Sequence, residues 1–119
     1  MPQQNLLYQS LTCDENLRFF AKIYGLNASM RSQRIKICLQ AVNLAERVNS
    51  VVSSLSGGMQ RRLSMAVAIV HQPKMVVLDE PTTGLDIEAR YEVWELIRQL
   101  KRQGVTVLLT THLLDEAER

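Results

Sequence analysis

The sequence predicts an α/β protein, and three observations support that prediction. Two short, mainly apolar runs, residues 75–78 and 105–110, have the length and the β-branched residues of strands buried on both faces of a parallel sheet. An amphipathic helix predicted over residues 87–103 separates them, which is the spacing of one right-handed βαβ unit. The 12–72 segment ahead of this unit is predicted to be mainly helical.

The composition indicates one globular domain. A chain of 119 residues is long enough to bury a core. The sequence contains no apolar run long enough to cross a bilayer and no signal peptide, so we expect the protein in the cytosol. Cys13 and Cys38 form no CxxC motif and are predicted to be buried free thiols.

Charge is distributed unevenly along the chain. Residues 16–74 hold nine Lys and Arg against one acidic residue, whereas residues 75–119 hold five basic and nine acidic residues. A basic half can face nucleic acid or an anionic membrane surface, or it can consist of solvated helix faces. Charge alone leaves these three alternatives open.

Two helices are predicted in the first half. A capping box formed by Thr12 and Glu15 precedes a helix over residues 16–24, which ends at Gly25. A second helix is predicted over residues 31–45, followed by a serine-rich connection over 48–55. The residues predicted to face inward are Leu17, Phe20, Ala21 and Tyr24 in the first helix, and Ile35, Cys38, Leu39 and Val42 in the second.

The stretch LSGGMQRR, residues 55–62, places a hydroxyl residue and two glycines at the start of a third helix. This helix is predicted to reach His71, before Pro73. Its inward residues are Met59, Leu63, Ala66, Val67 and Val70. A helix start suits an anion such as phosphate, and glycine allows close approach to the backbone. On this stretch alone, an ordinary junction between a loop and a helix is an equal alternative.

Polar residues follow both predicted strands. Asp79 and Glu80 end the first strand, and His112 follows the second, so all three are expected at one edge of the sheet. One carboxylate could hold Mg²⁺ while the other orients an attacking water, and the histidine could contact a terminal phosphate. The alternatives are a helix-capping acidic pair and an ordinary surface or core histidine. Asp86 is predicted to cap the 87–103 helix, Gly104 to end it, and His71 is given no role.

In this order the motifs resemble those of the nucleotide-binding domain of ABC transporters, from the glutamine loop to the histidine loop. LSGGMQRR is similar to the signature motif and MVVLDEP to Walker B with its catalytic glutamate. TTGLD is similar to the D-loop and TTHLLDEAER to the switch-histidine segment. The resemblance covers essentially the whole chain and is strongest to bacterial drug-exporter ATPases. It implies part of a P-loop NTPase domain, with a helical signature subdomain over about 12–72 and part of the α/β core over about 73–119.

The resemblance also implies roles for individual residues and implies ATP and Mg²⁺ as cofactors. Asp79 would support Mg²⁺, Glu80 would polarise the hydrolytic water, and His112 would contact the γ-phosphate. Gln3 would sense Mg²⁺ and the γ-phosphate, and Asp86 would bridge two domains. The implied residues for ATP held by an opposite domain are Ser56, Gly57, Gly58 and, in the same motif, Gln60.

One family motif has no counterpart in this sequence. The five glycines stand at 25, 57, 58, 84 and 104, and none precedes a lysine, so the 119 residues contain no Walker A loop. We therefore expect a fragment of a longer domain that binds ATP weakly and does not turn it over alone. We also expect self-association through core surfaces left exposed.

The implied partners are a transmembrane permease and a second nucleotide-binding domain in a head-to-tail dimer, at the cytoplasmic face of the inner membrane. No nucleic acid partner is expected. Two alternatives remain: a related ATPase that acts on ribosomes or nucleic acid, and a non-catalytic interaction module. The short interval between Gln3 and Ser56 has no sustained heptads, which argues against the coiled-coil chromosome ATPases.

Overall fold

A computed structural model describes residues 7–110, which divide into two compact units, 7–73 and 74–110. The first unit contains helices α1 (Cys13–Ile23), α2 (Ala28–Ala41) and α3 (Gly57–Ile69), with 3-10 turns at Ala45–Arg47 and Val52–Ser54. The second contains strand β1 (Met75–Asp79), helix α4 (Ile87–Arg102) and strand β2 (Thr106–Thr110). The α/β class predicted from the sequence is confirmed.

The capping box predicted at the start of α1 is present. The Thr12 N–H donates to Glu15 Oε1 over 2.9 Å, and the Glu15 N–H donates to Thr12 Oγ1 over 3.0 Å. Leu17 and Ala21 are fully buried, as predicted. Tyr24 was predicted to face inward but is 45% exposed; the helix ends at Ile23, and Tyr24 is its C-cap.

Helix α2 lies closer to the N-terminus than the predicted range of 31–45. It begins at Ala28 because Asn27 Oδ1 accepts the Met30 N–H over 2.9 Å, which makes Asn27 the N-cap. It ends at Ala41, and Asn43 two residues later has a left-handed backbone with φ +65°. The four residues predicted to face inward, Ile35, Cys38, Leu39 and Val42, are all buried.

Helix α3 ends at Ile69, two residues before the predicted end at His71. The Arg34 guanidinium of α2 donates to the Ile69 carbonyl over 2.9 Å and to the Val70 carbonyl over 3.0 Å. These bonds satisfy carbonyls that the end of an α-helix leaves without partners. Gln72 then takes a left-handed conformation with φ +56°, which turns the chain away from the helix. The inward residues of α3 are buried, apart from Met59, which is partly exposed.

A fully buried asparagine joins the segment before α1 to that helix. The Asn16 side chain accepts the Tyr8 N–H over 2.8 Å and donates to the Tyr8 carbonyl over 3.1 Å and the Thr12 carbonyl over 2.9 Å. All of its hydrogen-bonding groups are therefore used, as a buried amide requires. This role could not be predicted from local pattern, in which Asn16 is only the first residue of a predicted helix.

The two strands pair in parallel, in the register Met75↔Thr106 to Asp79↔Thr110. Helix α4 connects them and packs along β2. Its start is capped by Asp86, whose Oδ1 accepts the Ala89 N–H over 2.8 Å, and Gly104 follows its end with φ +91°. Both features are as predicted.

The strands are not buried on both faces as the sequence predicted. Val76 and Leu78 are buried, but Met75 and Val77 are 52% and 57% exposed, and Leu108 on the neighbouring strand is 48% exposed. Side chains alternate between the two faces of a strand, so these three lie together on one face. Within residues 74–110 no element covers that face. The described part of the chain, residues 7–110, has no helix that is long and apolar enough to span a bilayer.

We predict that Asn16→Leu lowers the free energy of unfolding by about 2 kcal/mol, because the Tyr8 backbone groups lose their partners. Denaturant titration of the 119-residue chain by circular dichroism measures this. Asn49→Leu is the matched control, since Asn49 is exposed, and it should change stability by less than about 0.5 kcal/mol. If both variants lose the same free energy of unfolding, the Asn16 hydrogen bonds make no specific contribution to stability.

Candidate functional site

The start of α3 presents an exposed helix terminus. Ser56 is its N-cap and accepts the Met59 N–H on Oγ over 3.1 Å, so its own O–H can still donate outward. Ser56 and Gly57 are exposed, whereas Gly58 is buried. The first N–H groups of a helix have no intrahelical acceptor, and the macrodipole makes this end positive. The arrangement suits an anion in front of Ser56 and Gly57.

Gly57 is not required by the fold of the described residues. Its φ is not positive, and no described atom lies within 4 Å of the place where a Cβ would be. Gly104, by contrast, needs glycine because its φ is +91°. Without a Cβ at Gly57, the backbone amides at the start of α3 are open to close approach by a ligand.

The predicted site residue Gln60 forms bonds within the unit. Its Nε2 donates to the Val52 carbonyl over 3.0 Å and to the Leu55 carbonyl over 3.4 Å, and its Oε1 accepts from Gln9 Nε2 over 3.4 Å. These bonds tie the second 3-10 turn to α3, and so they fix the residues that lead into Ser56.

Two arginines follow in the same helix. Arg62 is only 7% exposed, and its Nε donates to the Val42 carbonyl over 3.0 Å, which anchors α3 to the end of α2. Burial lowers the pKa of Arg61, which keeps its positive charge because guanidinium is not deprotonated in proteins. The sequence placed both residues in the motif but did not reveal that Arg62 is a structural anchor.

The acidic pair lies where β1 ends, and both residues bond to Thr110 at the end of β2. Asp79 is exposed, and its Oδ1 accepts the Thr110 hydroxyl over 2.5 Å. The Glu80 N–H donates to the Thr110 carbonyl over 2.7 Å, which extends the ladder one residue beyond the strand. Thr110 was predicted only as a strand residue. Its register opposite Asp79 is what gives it this position.

The backbone of Glu80 is left-handed, with φ +48°. This conformation costs a non-glycine residue about 1–2 kcal/mol. Such strain is concentrated at functional sites, so the outlier suggests a role for the side chain. Glu80 is 6% exposed, whereas the Asp79 side chain is open to solvent. Adjacent carboxylates in such different environments are suited to different chemical tasks.

The acidic pair alone does not form a closed metal site. Within residues 7–110 no three His, Cys, Asp or Glu side chains are grouped to hold an ion. Mg²⁺ in phosphate-handling proteins takes one or two carboxylates and completes its shell with phosphate oxygens and water. The exposed Asp79 carboxylate fits that requirement.

The remaining predicted site residues are Asp86, Gln3 and His112. Asp86 caps α4 and is exposed, and its predicted bridging role stays a prediction. Gln3 and His112 lie outside the described residues.

His71, which was given no role, stacks on the Tyr24 ring at 3.8 Å between centroids, and its pKa is lowered by burial and by the nearby Arg34. The start of α3 belongs to the first unit and the acidic pair to the second.

Comparison with known proteins places these features in context. The sequence profile of the family described as "ABC transporter" matches residues 1–83. The chain is 43% identical over its whole length to Nod factor export ATP-binding protein I of Cupriavidus pinatubonensis, of which it covers 37%. It is 45% identical over its whole length to the protein of that name from Burkholderia pseudomallei, of which it covers 39%.

A relative with a different printed name is also similar. The linearmycin resistance ATP-binding protein LnrL of Bacillus subtilis is 39% identical over 99% of this chain, which covers 38% of that protein. The chain therefore spans less than two fifths of the length of each of these three relatives.

We predict that Gly57→Ala leaves the free energy of unfolding unchanged or raises it by up to about 0.5–1 kcal/mol, because alanine favours the helix and its Cβ meets open space. The control Gly104→Ala should lower it by about 1–2 kcal/mol, because alanine is strained at positive φ. Thermal and denaturant unfolding of the two variants measure both values. A destabilised Gly57→Ala protein would mean that the fold itself requires this glycine.

Proposed function

Because the chain belongs to the ABC transporter family, we propose that it forms part of an ATP-hydrolysing subunit that powers export across a membrane. Family membership implies ATP as the nucleotide. Support for export comes from the relatives, whose printed names are those of export and resistance ATP-binding proteins. The observation that carries the proposal is the acidic pair, with Asp79 exposed and Glu80 buried in a strained conformation.

Asp79 is assigned to Mg²⁺ in this proposal. Its carboxylate is open to solvent at the carboxyl end of β1, which is where ligands bind in open α/β sheets. The Thr110 hydroxyl bonds to Oδ1 and fixes its orientation, as partners of metal-binding carboxylates commonly do. When bound, the ion would neutralise charge on the phosphates.

Glu80 is assigned to the hydrolytic water. Its backbone is held by Thr110, so the side chain projects from a fixed point beside Asp79. A carboxylate in that position can accept a proton from water or orient it for in-line attack on a terminal phosphate. The strain at φ +48° is consistent with a backbone whose conformation is set by this task.

The start of α3 is assigned to the γ-phosphate of ATP held by a second nucleotide-binding domain. Ser56 can donate its O–H, and the Gly57 and Gly58 amides begin the helix. The open space at Gly57 allows phosphate oxygens to approach the backbone. The Gln60 side chain donates hydrogen bonds to the Val52 and Leu55 carbonyls and so holds the turn that leads into Ser56.

The partners and location follow from the same proposal. The chain would dock on a transmembrane permease and pair head to tail with a second nucleotide-binding domain, on the cytoplasmic side of the membrane. Gln3 would sense Mg²⁺ and the γ-phosphate, His112 would contact that phosphate, and Asp86 would bridge the domains while it caps α4.

We predict that a chimera containing this chain hydrolyses ATP. In it, this chain replaces the matching segment of the Bacillus subtilis relative, with which it aligns over 118 residues. The chimera should hydrolyse Mg-ATP, and Glu80→Gln should reduce kcat on the order of 10²–10³-fold because the water loses its base. Glu88→Gln is the control, since Glu88 is an exposed acid in the first turn of α4.

Two outcomes would count against the assignment. A folded chimera that binds ATP but shows no hydrolysis would contradict the proposed function. A Glu80→Gln chimera with the turnover of the Glu88→Gln control would remove Glu80 from the chemistry. Gly57→Ala in the same chimera should lower turnover although it leaves folding intact.

The 119-residue chain alone is predicted to show no steady-state ATP hydrolysis above background. Its sequence contains no Walker A loop, whose backbone amides and lysine supply most of the phosphate contacts in P-loop proteins. Phosphate release from purified protein with Mg-ATP measures this. Robust hydrolysis that Glu80→Gln abolishes would contradict the prediction.

A further inference from the structure

A groove in the first unit is not used by the proposed function. It lies between α1 and α2 and has a volume of about 400 Å³. We call it the α1–α2 groove. Its lining includes Arg18 from α1, Ser32, Ile35, Lys36 and Leu39 from α2, and Val48 beside the first 3-10 turn. This volume falls in the range of small-molecule sites in proteins.

The groove is preformed by the packing of the unit. Ile35 and Leu39 are 3% and 2% exposed, so the floor is part of the hydrophobic core. The segment that closes the end is tied to α1, because the Asp14 N–H donates to the Val48 carbonyl and the Cys13 N–H to the Ser50 carbonyl, each over 3.0 Å. A ligand would therefore meet a fixed apolar surface and would not have to order it first.

The rim of the groove carries one positive charge without a partner. Arg18 is neutralised by Asp14, with Nη2 to Oδ1 at 3.0 Å and Nε to Oδ2 at 3.2 Å. Lys36 is exposed and forms no ion pair or hydrogen bond within the described part of the chain. Residues 7–73 contain eight Lys and Arg against three Asp and Glu, so the surrounding unit is also cationic.

We propose that the α1–α2 groove binds a small amphipathic carboxylate, of the class of a free medium-chain fatty acid. The acyl chain would lie on Ile35, Leu39 and Val48, and the carboxylate would accept hydrogen bonds from the Lys36 ammonium and the Ser32 hydroxyl. Charge complementarity selects an anion, and the apolar floor selects a ligand with a hydrocarbon body. A cavity of about 400 Å³ accommodates one small molecule and not a bilayer surface.

The test is calorimetric titration of the complete 119-residue chain with decanoate. We expect saturable binding of one molecule, weakened about ten-fold by Lys36→Gln, because the charge-assisted bond is lost, and retained by Lys36→Arg. Lys22→Gln is the matched control, since Lys22 is an exposed lysine of α1 that does not line the groove, and it should bind like the original protein.

A second variant tests whether the ligand occupies the apolar space of the α1–α2 groove. Ala45 is exposed and lines the end of the groove, so Ala45→Phe should fill the space and abolish binding, while circular dichroism shows an unchanged helix content. Any of three results would overturn the proposal. These are equal weakening by Lys36→Gln and Lys22→Gln, equally tight binding of decanol, and binding to anionic phosphatidylglycerol vesicles without binding to decanoate.

Discussion

The meeting of the two strand ends at Thr110 is the constraint on which the candidate catalytic residues depend. One residue of β2 accepts the Glu80 N–H on its carbonyl and donates its hydroxyl to Asp79. The parallel register that places Thr110 opposite Asp79 therefore orients the Asp79 carboxylate and holds the backbone from which the Glu80 side chain projects. Because the ladder continues past the strand, Glu80 is held in a left-handed conformation that an unrestrained glutamate would leave.

The start of α3 depends on a different set of constraints. Ser56 caps the helix, Gln60 holds the turn that leads into it, and Arg62 fastens the helix to the end of α2. Each of these side chains bonds inside the unit, and Gly57 is left open in front of them. A phosphate-binding surface needs a rigid support behind an open helix terminus, because binding then costs little free energy for ordering the surface.

The elements were predictable where local chemistry determines them. The capping box at Thr12, the cap at Asp86 and the end of α4 at Gly104 follow from short-range hydrogen bonding and backbone preference. The start of α2 was misplaced because Asn27 was not recognised as an N-cap.

The roles that depend on residues distant in sequence could not be predicted. Examples are the Arg34 bonds to the end of α3 and the Thr110 bonds to the acidic pair. Burial of both sheet faces was predicted wrongly from the apolar runs, because such a run reports hydrophobicity but not which elements cover it; only the missing Walker A part pointed to exposed core surfaces. Our central proposal is that the start of α3 offers half of a nucleotide site, which another domain completes.

The most direct measurement of this proposal is sedimentation of this chain with a variant of the Bacillus subtilis relative that binds ATP but cannot hydrolyse it. A complex should form with Mg-ATP and not with Mg-ADP. Gly57→Asp should abolish it by repelling phosphate, while the control Ser29→Asp, an acid in the first turn of α2, should not. Equal association with Mg-ATP and Mg-ADP, or association that persists in the Gly57→Asp variant, would contradict the proposal.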